Sequence, residues 1–91
     1  MKLAKEHGEV LGGRVLGQEI RAKVVRLVQA GEVVTLDLDG VLAVSPSFAD
    51  EVFGKLPAEV GDDAIVFSNV SAQIQEVADM ARAGRPGNGS H

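Results

Sequence analysis

Residues 33–53 read Val-Val-Thr-Leu-Asp-Leu-Asp-Gly-Val-Leu-Ala-Val-Ser-Pro-Ser-Phe-Ala-Asp-Glu-Val-Phe, and the pattern changes three times inside them. The run from Glu32 to Leu38 is too apolar for a strand with one face in water until Asp37 and Asp39 appear, so it reads as a buried central strand. Asp39-Gly40 is a turn signal. The second apolar run, Val41 to Val44, leads into Ser45-Pro46-Ser47, where a helix should begin: proline suits the first helical position and serine caps free N–H groups. Ser47 followed by Asp50 three residues later also matches a capping pattern. Phe48, Val52, Phe53 and Leu56 supply the buried side of this helix, and Pro57 is expected to stop it.

Working outward, apolar residues at Leu16, Ile20, Val24, Leu27 and Val28 form one stripe of a helix from Arg14 to Ala30, with Gly31 ending it. Ala64 to Phe67 reads as a second buried strand with its exit at Ser68-Asn69. Ser71 caps a last helix with the stripe Ile74, Val77, Ala78 and Ala81, stopped at Gly84. Strands alternating with helices predict an α/β domain: a small, mainly parallel or mixed sheet packed against helices, with the working edge at the carboxyl ends of the strands. That edge would gather Asp37, Asp39, Ser45 and Ser47. Residues 1–84 read as one domain and 85–91 as a flexible tail.

Composition narrows the function. The chain has 91 residues, of which 45% are hydrophobic and 24% charged, the balance of a folded globular domain. Residues 1–30 carry six basic and three acidic side chains, and residues 31–63 one basic and eight acidic. With a net charge of −4 and only Phe48, Phe53 and Phe67 as aromatics, the chain lacks the basic stripe and stacking rings of a nucleic-acid binder. Arg14, Arg21, Lys23 and Arg26 read as the solvated face of a helix. There is no cysteine, and His7 and His91 are the only imidazoles. No apolar run approaches the roughly 18 residues needed to cross a bilayer, and Met1 to Glu9 hold no apolar signal core, so a cytoplasmic location without membrane contact is expected.

No set of residues for a common enzyme class is complete, which favours a non-catalytic protein with no metal and no cofactor. Gly12-Gly13-Arg14 lacks both the spaced glycines of a dinucleotide fingerprint and the Gly-Lys-Ser/Thr of a P-loop, and reads as a turn. Asp50-Glu51 are adjacent on a helix and so do not face each other as an acid/base pair; they suit the helix dipole or solvent.

The run Asp37-Leu38-Asp39-Gly40-Val41-Leu42 resembles the first motif of haloacid dehalogenase-like phosphatases. That resemblance implies, as an alternative function, a small magnesium-dependent phosphatase using Asp37 and Asp39. Ser68 would imitate its second motif and Asp62-Asp63 its distal acidic pair, although that pair precedes the strand.

The block Ser45-Pro46-Ser47-Phe48-Ala49-Asp50-Glu51-Val52-Phe53-Gly54, taken with the preceding helix and strand, resembles the bacterial STAS-like family, related to anti-sigma factor antagonists, over about residues 10 to 82. In the classical antagonists a Leu-Asp-Leu-x-Gly-Val strand leads into Asp-Ser-Ser-Gly. A serine there is phosphorylated by a histidine-kinase-like ATPase that doubles as the anti-sigma factor, and phosphorylation breaks their complex. On this chain the classical Asp falls on Ser45, the first serine on Pro46 and the phosphorylated serine on Ser47, while Phe48 replaces the glycine. The resemblance implies a regulatory protein-protein interaction module with partner switching. Ser47 and then Ser45 are the phosphoacceptor candidates, and a docking surface is formed by Asp39, Ser45, Ser47, Phe48, Asp50 and Glu51.

Overall fold

The computed structural model describes residues 1–84; the expected tail, 85–91, lies outside the described residues. In chain order the elements are α1 (Leu3–His7), β1 (Val10–Leu11), α2 (Arg14–Gln29), β2 (Val34–Asp37), β3 (Ala43–Val44), α3 (Pro46–Ala49), a π-helix (Asp50–Lys55), α4 (Leu56–Val60), a short 3-10 turn (Asp62–Ala64), β4 (Ile65–Ser68) and α5 (Ala72–Ala83). The strands form two parallel pairs, β1 with β3 and β2 with β4. The α/β class with a small parallel sheet against helices is therefore as expected, with the sheet divided into two short pieces.

The strand over 32–38 is shorter than expected and differs in its surroundings. It is central in pairing, because β4 lies on one side and on the other the Met1 amino group donates to the Thr35 carbonyl at 2.6 Å while the Asp37 N–H donates to the Met1 carbonyl at 2.8 Å. It is not buried on both faces. Val34 and Leu36 are buried, whereas Thr35 and its partner Val66 face water, and Val33 is 64% exposed. The helices cover one face only, and the β-branched residues on the open face serve strand propensity rather than the core. The amino-terminal segment, to which the sequence pattern assigns no element, contributes a short helix whose Leu3 is completely buried.

α2 matches its predicted span, and Gly31 follows it with φ of +94°, a left-handed conformation that favours glycine. The helix that starts at Pro46 does not stop at Pro57. It widens into the π-helix over Asp50–Lys55, where the Leu56 N–H reaches back five residues to the Glu51 carbonyl, and continues as α4 to Gly61. The wider turn moves the carbonyls away from the proline ring, which relieves the clash that ends an ordinary α-helix.

The core is built where α2, the long α3–π–α4 helix and α5 meet the strands. Ile20, Val24, Phe48, Val52, Phe53, Leu56, Ile74 and Ala78 pack there with Leu11, Leu36, Leu38 and Val44. Phe53 also meets the Phe67 ring, with centroids 4.9 Å apart. The crossing of α2 over the long helix is closest at Gly17, where an added Cβ would lie 2.8 Å from Glu51 Cβ and 3.3 Å from the Phe48 carbonyl oxygen.

That crossing generates a prediction of unusual sign. In a free helix Gly→Ala gains roughly 1 kcal/mol, but at Gly17 the methyl has no space. Gly17→Ala should therefore destabilise the domain by about 1–3 kcal/mol, as overpacked cores do, measured as a lowered urea midpoint.

Candidate functional site

The amino termini of α2 and α3 meet at Ser45. Extended at φ −79° and ψ 157°, Ser45 is the N-cap of α3, and its Oγ accepts from the Phe48 N–H at 3.2 Å. The same oxygen accepts from the Gly13 N–H at 3.0 Å, which ties the start of α2 to the start of α3. Ser47 is not a cap: it sits inside the first turn, with its Oγ 3.3 Å from Ser45 Oγ. A hydroxyl has two acceptor positions and one proton. Both acceptor positions of Ser45 are engaged by N–H groups, and either hydroxyl could be the donor in its contact with Ser47 Oγ. Ser47 is half-exposed and caps no N–H group. The two serines thus differ: Ser45 is the structural cap and Ser47 is not.

One turn further along, Glu51 departs from its expected place on a docking surface. Its side chain has no exposure and is surrounded by cations: Arg14 Nη1 at 2.6 Å and Lys55 Nζ at 3.0 Å from Oε2, and Arg21 Nε at 3.3 Å from Oε1. Oε1 has this ionic neighbour but no hydrogen bond among the described residues. Arg14 Nη1 also holds Asp50 Oδ2 at 2.9 Å. Asp50 and Glu51, adjacent in sequence, therefore do share one ligand, and Arg14 and Arg21 are not simply the solvated face of α2. Sequence reasoning missed both arginines. The available signal was their spacing, since Arg14, Gly17 and Arg21 fall on one helix face.

Burial pushes the Glu51 carboxyl upward, but hydrogen bonds from Lys55 and Arg14 and the charges of Lys55 and Arg21 outweigh it, so the group is held below the usual glutamate range. Hydrogen bonds to Asp50 and Glu51 raise Arg14 in turn. Phe48, also expected on the docking surface, is completely buried because its ring anchors α3 to the core. Of the expected surface residues Asp39 is exposed, and Ser45, Ser47 and Asp50 are half-buried.

Asp37 and Asp39 form a separate cluster. Asp37 Oδ1 accepts from Asn69 Nδ2 and from the Asp39 N–H, both at 2.9 Å. These bonds, led by Asn69, hold its carboxyl below the usual range. Asn69 adopts φ of 56°, so this carboxylate staples the ends of β2 and β4 together. Ser68 is in register with Asp37, but Asp62 and Asp63 precede β4 and so lie at the opposite end of the parallel pair. The acidic groups of the phosphatase pattern are not brought together, and among the described residues no three His, Asp or Glu side chains gather as a metal site.

Beside α3 runs an apolar strip. Pro46, Val77, Met80 and Ala81 line one hollow of about 250 Å³. Leu42, Ala43 and Val44 with Gln73, Ile74, Glu76 and Val77 line a second of about 280 Å³. Leu42 and Met80 are 61% and 72% exposed.

Two predictions follow from the junction of α2 and α3. Ser45→Ala should cost about 1–2 kcal/mol, since it removes a cap and the tie to Gly13, whereas Ser47→Ala should stay within about 0.5 kcal/mol; paired thermal melts compare them. Glu51→Gln should cost about 2–3 kcal/mol at neutral pH through the loss of charge-assisted bonds. Because the fold lowers the Glu51 pKa, this stability is complete above the ordinary glutamate range and is lost as pH falls through the folded-state value. Urea titrations across that range should show the gap between wild type and Glu51→Gln closing toward low pH.

No helix among the described residues is long and apolar enough to cross a membrane. Comparison with curated proteins and with solved structures finds no match. A family model, the STAS-like domain of unknown function (DUF4325), matches residues 17–75, which takes in most of α2, Ser45 and Ser47, Glu51 with Arg21 and Lys55, and the start of α5, while Gly13 and Arg14 lie before it. With more than half of its length matched, the chain belongs to this STAS-like domain family.

Proposed function

We propose that this domain is a non-catalytic, intracellular regulatory module that docks on a protein partner through the face around Pro46, Ser47 and Asp50, and that phosphorylation of Ser47 releases it. The partner class is a histidine-kinase-like ATPase of the anti-sigma type, by analogy with the antagonists that the Ser45 to Phe53 block resembles. The carrying observation is the division between the serines: Ser45 is committed to two N–H groups, while Ser47 caps none and is half-exposed. The adjoining apolar strip, with Met80 and Leu42 exposed, adds area that a partner would bury. Asp39, at a different cluster, is less central to this surface than Ser47 and Asp50.

In the transfer step Ser47 Oγ forms a bond to the γ-phosphorus of a nucleoside triphosphate, the bond to the departing diphosphate breaks, and the serine proton passes to a base of the kinase. A dianion at the first turn of a helix is tolerated by the helix dipole, so the modified domain stays folded while its surface changes sign. The phosphatase reading on Asp37 and Asp39 draws no comparable support, because Asp37 serves as a staple between strands.

The test is a native pull-down with mass spectrometry of the captured proteins and of the peptide containing Ser45 and Ser47. A kinase-like ATPase together with phosphate on Ser47 is the expected result; a reproducible partner with Ser47 always unmodified would refute the switch. With the partner in hand, Ser47→Asp should weaken binding by about tenfold or more, ~1.4 kcal/mol, in calorimetric titration.

A further inference from the structure

We propose that Arg14 is the internal receptor for a phosphate on Ser47, so that the modification is read by the ion cluster between α2 and α3 as well as by the outer surface. The inference rests on the phosphorylation reading above for its biological setting, but its chemistry stands on the geometry of the junction.

Arg14 directly follows Gly13, whose N–H is 3.0 Å from Ser45 Oγ, and that oxygen is 3.3 Å from Ser47 Oγ. From this start the Arg14 side chain extends over the same helix that carries Ser47. It reaches Asp50 and Glu51, three and four residues beyond Ser47 and thus one turn further along. Both bonds are made by one nitrogen, Nη1. A guanidinium presents five N–H donors in a planar fork suited to bidentate phosphate binding. The Arg14 side chain is 45% exposed, so it can turn toward Ser47 without opening the core.

The other charged groups of the cluster are placed differently. Lys55 is two turns from Ser47 and sits on Glu51 and Asp50. Arg21 is two turns further along α2 than Arg14 and divides its contacts between Glu51 and Glu59. Arg14 is thus the cation that starts beside the serines. When it is drawn to a phosphate, Asp50 and Glu51 lose part of its charge, and Glu51 is left to Lys55 and Arg21. The modification would then weaken the Arg14 ion pairs across the α2 crossing while leaving those of Arg21, which gives the phosphate an effect inside the domain.

The experiment uses the full chain with phosphoserine installed at position 47, followed by ³¹P resonance as pH is varied. In the wild-type chain the second ionisation of the phosphate should fall below its ordinary value of about 6. Arg14→Gln should raise it by roughly half a unit or more, and Arg14→Lys, which keeps a cation for Glu51 and guards against misfolding, should lie between them. The ¹³C-detected Glu51 carboxyl should titrate higher in the phosphorylated chain than in the unmodified one. A phosphoserine titration unaffected by Arg14→Gln in folded protein would overturn the proposal. Since the phosphate is installed chemically, failure to find a kinase or a modified native chain would sink the switching function alone and leave this result to be judged separately.

Discussion

The arrangement of this domain turns on one buried carboxylate. Glu51 has no exposed surface, and a buried charge is tolerated only where it is paired and hydrogen-bonded. Lys55 comes from the same helix, one turn on, but Arg14 and Arg21 must be brought by α2. Gly17 between them lets the backbone of α2 come near enough for both arginines to reach, since any side chain there would strike Glu51 itself. Helix packing, charge compensation and a missing side chain are thus parts of one constraint. The three cations are each partly exposed and keep some contact with water, which lessens the cost of desolvation.

The serine cap belongs to the same junction. Ser45 fixes the start of the helix that presents Glu51 and, through Gly13, the start of the helix that presents Arg14. With both helix starts held by one oxygen, the hydroxyl of Ser47 is placed beside a charged junction. Ser47 therefore lies where two helices are registered against each other.

Membership of the STAS-like family points to a regulatory or binding module without naming its partner. The described geometry agrees with that level of statement. Its half-exposed serine and its exposed apolar strip are features of a surface, while the carboxylates of Glu51 and Asp37, both held below their ordinary range, have structural duties.

Local pattern was sufficient for α2, α5, the turn at Gly40 and the cap at Ser45, because each depends on residues within a few positions of one another. The α/β class followed from the order of those elements, and the family resemblance chiefly from the block Ser45 to Gly54. What the tertiary structure alone decided were contacts between residues distant in the chain. A carboxylate next to an aspartate reads as solvated until a helix 30 or more residues earlier is seen to lay two arginines over it. Glu51 read as a helix-dipole or solvent-facing acid, yet the helix turns it inward, and Phe48 keeps the buried place its spacing predicted rather than the docking surface that the resemblance implied. Pro57 looked like a stop, and the wider π turn before it lets the helix continue. Sequence by itself thus determined where segments begin and which faces are apolar, since propensity and capping are local. Only the folded chain decided which charges are paired and that Ser45 also holds the start of α2, since both depend on what crosses a helix from elsewhere in the protein.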